Sequence, residues 1–481
     1  MTAYRLDVIV GWVVRIDVLP DDVLLEIFDF YMNVDVFYED KRETEAWQTL
    51  VHVCRRWRYL VFGSPRRLNL RLCCTPETPA KDTLDVWPAL PLLIKGILLS
   101  TDTDNVIAAF GQSNRVWQVD LDLDGWQLEQ VLAPMLVSFP ELTRLRLWSY
   151  ETPPAIPDSF LGGSAPRLRF LTLRSISFPG LPKLLLSATH LVNLQLYYIP
   201  HSGYFSPEDI VASLSVLSSL RSLRLEFRSP QSRPDWGSRR PPLSKRSVLP
   251  ALDRFHFKGV TEYLEELVVR IDTPQLRYVD ITFFNQIDFD CPRLAQFINS
   301  TPTLSERDEA HVQFDSNTAN VTLRSQTSEI GFDDLRINIR CREPDWRVSS
   351  IEQVCNFLPP VSLVEDLYIG YVYLEADWKN DAIENTLWLE LLLPFITVKD
   401  LYLSKVYAPG IGAALHELVG GRITEVLPNL QNIFMEELEP SGSFQKNIGQ
   451  FLAARQLLGH PIAISGWAAR AGSASESEED E

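Results

Sequence analysis

From residue 116 onward, apolar positions return in one repeated pattern, L-x-x-L-x-L with conservative replacements. It occurs at Leu142/Leu145/Leu147, Leu168/Leu171/Leu173, Leu191/Leu194/Leu196, Leu220/Leu223/Leu225, Leu252/Phe255/Phe257 and Leu276/Val279/Ile281. Later copies stand at Val364/Leu367/Ile369, Val398/Leu401/Leu403 and Leu430/Ile433/Met435. The first six copies are 26, 23, 29, 32 and 24 residues apart, and the last three 34 and 32. A period of that size marks stacked units that bury their apolar side only against one another. The closing L-x-L has the period of two that a strand requires, so leucines take one face and the intervening residues the other. Val116/Val119/Leu121/Leu123 predicts one more strand ahead of the first full copy.

The spacing is that of a leucine-rich repeat with insertions. At the ninth position the regular repeat carries Asn or Cys, which hydrogen-bonds the turning backbone. Here it holds Tyr150, Ile176, Ile199, Arg228, Val260, Phe284, Val372, Val406 and Leu438, eight of nine apolar. An apolar plug in place of that ladder predicts an irregular solenoid of variable curvature. Between residues 300 and 350 the leucines thin out, and Val312/Phe314, Val321/Leu323 and Leu335/Ile337/Ile339 predict strands of degenerate repeats. Ile448, Phe451 and Leu452 predict a helix stopped at Gly459, followed by a closing strand at Pro461-Ile462-Ala463-Ile464.

Ahead of the array the period changes to that of a helix. Pro20-Asp21-Asp22 supplies cap residues for the stripe Val23, Leu24, Ile27, Phe28 and Tyr31. A second stripe, Trp47, Leu50, Val51 and Cys54 with Val53, Trp57 and Leu60 alongside, predicts one further helix stopped by Gly63-Ser64-Pro65. That is more apolar surface than one neighbour covers.

Composition narrows the class. With 481 residues and 46% hydrophobic content a large core is available, which excludes general disorder. Lys and Arg number 45 against 63 Asp and Glu, a net charge of −18 that opposes broad binding to nucleic acid or anionic membrane. The apolar run at residues 8–14 is bounded by Asp7 and Arg15, well short of the roughly 20 residues a membrane span needs. Cys54, Cys73, Cys74, Cys291, Cys341 and Cys355 form no CxxC pair and suit reduced thiols of a cytoplasmic or nuclear protein. The tail from Ala471 ends in Ser475-Glu476-Ser477-Glu478-Glu479-Asp480-Glu481 and is expected to be disordered.

Candidate chemistry is sparse. Asp120-Leu121-Asp122-Leu123-Asp124-Gly125 opens like a calcium loop, but Val131 occupies the twelfth position where a bidentate acid is required, so a strand with outward aspartates is expected. Pro409-Gly410-Ile411-Gly412 lacks the third glycine of a dinucleotide fingerprint and reads as a strand-to-helix turn. His416-Glu417 lacks the second histidine of a zincin helix. No cofactor, metal ligand set or catalytic residue is expected. Arg233, Arg239, Arg240, Lys245 and Arg246 form a basic cluster in an insertion loop over residues 229–250.

Val18-Leu19-Pro20-Asp21-Asp22-Val23-Leu24-Leu25-Glu26-Ile27-Phe28, followed by Leu50-Val51-His52-Val53-Cys54-Arg55-Arg56-Trp57, resembles an F-box. Both the L-P-x-x-V-L-x-x-I-F start and the V-C-R-x-W end match, although the gap between them is longer than usual. Ser64-Pro65-Arg66-Arg67-Leu68-Asn69-Leu70, Asp85-Val86-Trp87-Pro88 and the stretch around Phe257-Lys258-Gly259-Val260 are similar to F-box proteins of mushroom-forming fungi.

The resemblance implies an α/β chain, a short all-helical F-box followed by an irregular leucine-rich-repeat solenoid. The expected division is an N-terminal extension (1–17), the F-box (18–62), a linker and N-terminal cap (63–115), the solenoid with its C-terminal cap (116–470) and the acidic tail (471–481). It implies a substrate receptor of an SCF-type ubiquitin ligase, without catalytic residues of its own. Leu19, Pro20, Leu24, Ile27, Leu50, Val53, Cys54, Trp57 and Leu60 would bind a Skp-family adaptor, and through it cullin and RING subunits. The concave face would bind an unknown protein substrate. Its outward residues are Arg144, Arg146, Arg174, Arg221 and Arg224 early and Tyr368, Tyr402 and Phe434 late, with Glu365, Asp366 and Asp400 nearby. A surface basic in its first half and aromatic-acidic in its second is expected. The rival expectation is a repeat scaffold that recruits no ligase.

Overall fold

The computed structural model describes residues 18–33, 46–77, 80–97, 103–151, 155–232, 246–284, 291–305, 307–325, 334–341, 343–371, 383–436 and 443–467. Outside them lie the extension 1–17 with its apolar run, most of the F-box gap, Arg233, Arg239, Arg240 and Lys245 of the basic cluster, Val372, Leu438 and the acidic tail.

The repeated L-x-L copies become strands. In chain order these are β1 (Leu72–Cys74), β2 (Leu92–Ile97), β3 (Val116–Leu123), β4 (Arg144–Ser149), β5 (Phe170–Arg174) and β6 (Asn193–Ile199). Then come β7 (Ser222–Phe227), β8 (Ser247–Val248), β9 (Arg254–Gly259), β10 (Ile271–Asp272), β11 (Tyr278–Phe283) and β12 (Glu309–Phe314). The last are β13 (Thr318–Arg324), β14 (Leu335–Arg340), β15 (Asp366–Tyr371), β16 (Asp400–Leu403), β17 (Asn432–Glu436) and β18 (Ala463–Trp467). Sixteen of them form one sheet, ordered β1-β2-β3-β4-β5-β6-β7-β9-β11-β14-β13-β12-β15-β16-β17-β18. β8 and β10 pair separately, so the end of the 229–250 insertion is ordered as a strand.

Equivalent leucines meet in register: Leu145, Leu171, Leu194 and Leu223 lie side by side, as do Leu147, Leu173, Leu196 and Leu225. All are buried, together with apolar residues of the helices that return the chain between strands. Those helices are properly started: Asp124 and Gln127 make a capping box before Gly125–Leu132, and Ser206 accepts from Asp209 N before Pro207–Leu214. Pro409-Gly410-Ile411-Gly412 lies inside the helix Ala408–His416, where a Cβ on Gly410 would stand 3.0 Å from the Trp388 indole nitrogen. Helices cover one face of the sheet; the residues between the leucines stay half-exposed on the other. The result is a mixed α/β, leucine-rich-repeat-like solenoid with one continuous core from Leu24 to Phe451.

Several expectations need correction. Residues 300–350 are not degenerate repeats: β12, β13 and β14 form an antiparallel meander spliced into the parallel sheet. Only residues 315–317 separate β12 from β13, closed by Asp315 N donating to Thr318 O at 2.9 Å, and a parallel return needs a dozen or more residues. β14 lies parallel to β11 and β12 parallel to β15, so the array resumes with its direction unchanged. The sheet also begins before residue 116, since β1 and β2 fall within 63–115. Finally, Tyr150 is exposed rather than a plug, whereas Ile176, Ile199 and Val260 are buried as expected.

Among the described residues, the N-terminal segment holds three helices rather than the two expected: α1 (Asp21–Asn33), α2 (Ala46–Val53) and α3 (Arg55–Gly63). The break is Cys54, extended at φ −158° and ψ 171°, whose Sγ accepts from Trp57 N at 3.5 Å and caps α3. Trp47 donates its indole N–H to Arg71 O at 3.0 Å and packs against Trp87 at 5.0 Å and Phe62 at 6.0 Å, seating the helices on the first edge of the sheet.

Candidate functional site

Helical spacing gives α1 two apolar faces. Leu24, Leu25 and Phe28 point into the core, and Phe28 meets the half-buried Trp57 ring at 4.7 Å. Val23, Ile27, Phe30 and Tyr31 share the outer face at i, i+4, i+7 and i+8, with Ile27 41% and Phe30 73% exposed. Arg56 ties the start of α3 to α1, donating to Asp21 Oδ1 and to Leu19 O, both at 2.5 Å. Of the nine residues assigned to adaptor contact, Pro20, Ile27, Val53 and Cys54 are exposed, while Leu19 and Trp57 are half-buried. Leu24, Leu50 and Leu60 are buried in this chain's own core, because the helices pack on the sheet; they support the surface without forming it. Val23 and Tyr31, named in the stripe but not assigned to adaptor contact, belong to that exposed apolar set, as do Phe30 and Tyr59, which were missed; continuing from Val23 and Ile27 by one helical turn would have found Phe30.

The helix-free face of the sheet is the second surface. One rank of register partners crosses it without a break: Asp120, Arg146, Thr172, Gln195, Arg224, His256, Asp280, Arg336, Thr322, His311, Tyr368, Tyr402 and Phe434. Its first half is less basic than its arginines suggest. Arg146 is clamped by Asp120 and, at 3.2 Å, by Asp122, with its guanidinium 3.8 Å from the Trp148 ring centre. Burial raises the Asp122 carboxyl, and Arg146 partly offsets that. Arg224 pairs with Glu226 at 2.9 Å and donates to Tyr197 Oη at 2.9 Å. Arg144 lies 4.5 Å over Phe170 and Arg174 4.9 Å over Trp148. Arg221 is off this face: it precedes β7 on the parity of Leu223 and Leu225, exposed where the chain enters the strand.

The second half is a stack of rings. His311 and Tyr368 lie 4.4 Å apart and 8° from parallel, Tyr368 and Tyr402 4.1 Å and 9°, and Tyr402 and Phe434 4.5 Å and 11°. Trp467 folds across them, edge-on to Tyr368 at 5.9 Å and to Tyr402 at 5.6 Å. Burial raises the phenols of Tyr368 and Tyr402. The acidic neighbours are engaged: Asp400 accepts from Asn432 at 2.6 Å, Glu365 pairs with Lys399 at 2.7 Å and Asp366 is buried. His311 and Trp467 were missed; His311 sits in the Ala310-His311-Val312 alternation, but no leucine marked its register.

Among the described residues no group of three or more His, Cys, Asp or Glu is placed to hold a metal ion, and no helix is long and apolar enough to cross a membrane. Four of the six cysteines are buried, with burial raising Cys74 to about 11. No family model matches the chain, and no curated protein matches it. Among solved structures, the crystal structure of the leucine-rich repeat-containing protein LegL7 from Legionella pneumophila is similar over 79% of this chain and 97% of that one, at 15% identity and a TM-score of 0.26.

Proposed function

We propose that this chain is the substrate receptor of an SCF-type cullin–RING ubiquitin ligase, acting in cytoplasm or nucleus. α1 to α3 bind a Skp-family adaptor, and the open face of the sheet holds the target protein. The observation that carries this reading is the outer stripe Val23, Ile27, Phe30 and Tyr31, left uncovered on helices whose sequence resembles an F-box. Fully burying such side chains contributes roughly 1.5–3 kcal/mol each, enough for a specific complex once ordering costs are met. The chain itself performs no chemistry; it raises the effective concentration of a target lysine near the charged conjugating enzyme.

Pull-down with purified adaptor tests the reading. Wild type is expected to capture it, and Ile27→Asp to lose capture with an unchanged circular-dichroism spectrum. Absence of capture by the wild type overturns it. The second reading, a repeat scaffold that recruits no ligase, is favoured by one observation: Leu24, Leu50 and Leu60 are already spent on the chain's own core.

A further inference from the structure

A local excess of cations stands on the open face of this acidic chain. Lys258 is 9% exposed, and its Nζ lies 4.8 Å from the Tyr198 ring centre, with the Arg174 guanidinium 5.3 Å from the same ring. Tyr198 reaches that place at a register irregularity between Leu196 and Ile199, in left-handed backbone at φ 51°, a conformation that is strained for a residue with a side chain. Arg224 and the exposed Arg340 both act on Lys258, and Glu226 opposes them. Asp280 also acts on Arg224 while meeting His256 at 3.6 Å and Asn338 at 2.8 Å, and Asp122 acts on Arg174. Burial, and then the neighbouring Arg340 and Arg224 charges, push the Lys258 amine down to about 8. Like charges held together in a half-buried site are relieved by an anion.

We propose that the open face between β5 and β14 docks an extended acidic segment of a partner protein, gripped by Arg174, Arg224, Lys258 and Arg340. This deepens the target-binding half of the proposed function and does not depend on the adaptor half. Strand order sets the class of ligand. From β5 to β14 are five strand steps, about 24 Å at a spacing of about 4.8 Å. That is the length of about seven extended residues, which suits a run of carboxylates better than one phosphate. The chain's own acidic run is a poorer occupant. β9 lies eight strand steps from β18, about 38 Å, and Glu478 to Glu481, eleven to fourteen residues beyond Trp467, span that only with the intervening chain drawn out towards full extension.

The test is fluorescence anisotropy at low salt, using a labelled oligoglutamate peptide of about eight residues and the whole chain. Lys258→Met is expected to weaken binding about tenfold. Glu226→Gln is expected to tighten it about threefold, a gain that misfolding does not imitate. Unchanged affinity in both variants overturns the proposal. So does tighter binding of a neutral peptide carrying one phosphoserine, or a tenfold gain on truncation after Arg470, which would make the tail the occupant. Adaptor capture by Lys258→Met is expected to match wild type, which separates failure of this site from failure of the adaptor reading.

Discussion

The rings of Tyr368 and Tyr402 lie 4.1 Å apart and 9° from parallel, because Tyr368 on β15 and Tyr402 on β16 occupy the same register position. Parallel strands about 4.8 Å apart place equivalent side chains at nearly the thickness of a ring, so a repeated aromatic becomes a ladder. His311 and Phe434 extend it to four members.

Removing a middle member costs two stacking pairs and the area they bury. Tyr402→Ala is expected to lower stability by about 2–3 kcal/mol, and Tyr402→Phe by less than about 1 kcal/mol, since the ring remains. Urea titration followed by tryptophan fluorescence measures both, and equal losses would refute the stacking argument.

Phe28 and Phe30 lie two residues apart on opposite faces of α1. Phe28, fully buried against Trp57, is expected to cost about 3–4 kcal/mol on change to alanine. Phe30, 73% exposed, is expected to change stability by less than about 0.5 kcal/mol. Thermal denaturation of the two variants checks the assignment of inner and outer faces.

Arg455 is fully buried and donates only to carbonyls: Ile423 O at 3.4 Å, Leu427 O and Pro428 O at 3.1 Å, and Leu430 O at 3.5 Å. Arg455→Met removes this donor from Ile423 O, Pro428 O and Leu430 O, while Leu427 O keeps Leu430 N at 3.2 Å, at a cost of about 2–4 kcal/mol. Hydrogen exchange is expected to quicken first around residues 423–430, and a uniform change across the chain would argue against a local clamp.

Lys258 gives stability a pH dependence of definite sign. Its folded pKa is about 8, below the ordinary 10.5, so between those values the unfolded chain binds the extra proton and stability rises with pH. Below pH 8 both states hold the proton, and the penalty for burying the charge stays constant. Lys258→Met is therefore expected to be more stable than wild type at pH 7, by at most on the order of 2–3 kcal/mol, with the gap closing by pH 10. Urea midpoints at the two pH values decide it.

Much of the fold was legible because burial repeats. Leu145, Leu171 and Leu194 each had to face the same core, so their spacing announced strands, faces and neighbours. The meander was not legible in the same way: a one-strand reversal conserves the period of two and changes only pairing. Its signal was the short Asp315-Ser316-Asn317 turn, too brief for a crossover. The helix break at Cys54 was hidden for a related reason, since both halves of the stripe stay apolar across it.

At the candidate site, Tyr368, Tyr402 and Phe434 were identified from position alone, and the structure brings them together. The arginines were identified too, but not their partners. Arg146 with Asp120, and Arg224 with Tyr197, join residues 26 and 27 positions apart whose contact depends on strand order and on the irregularity in β6.

What the chain determined unaided was therefore periodic: which residues turn inward and where helices alternate with strands. Only tertiary structure decided which charges are spent on each other, which apolar side chains stay uncovered and where the sheet reverses. Periodicity is a property of one unit facing its own core. Neutralisation, stacking and exposure belong to pairs of units, and the pairing exists only once the solenoid has closed.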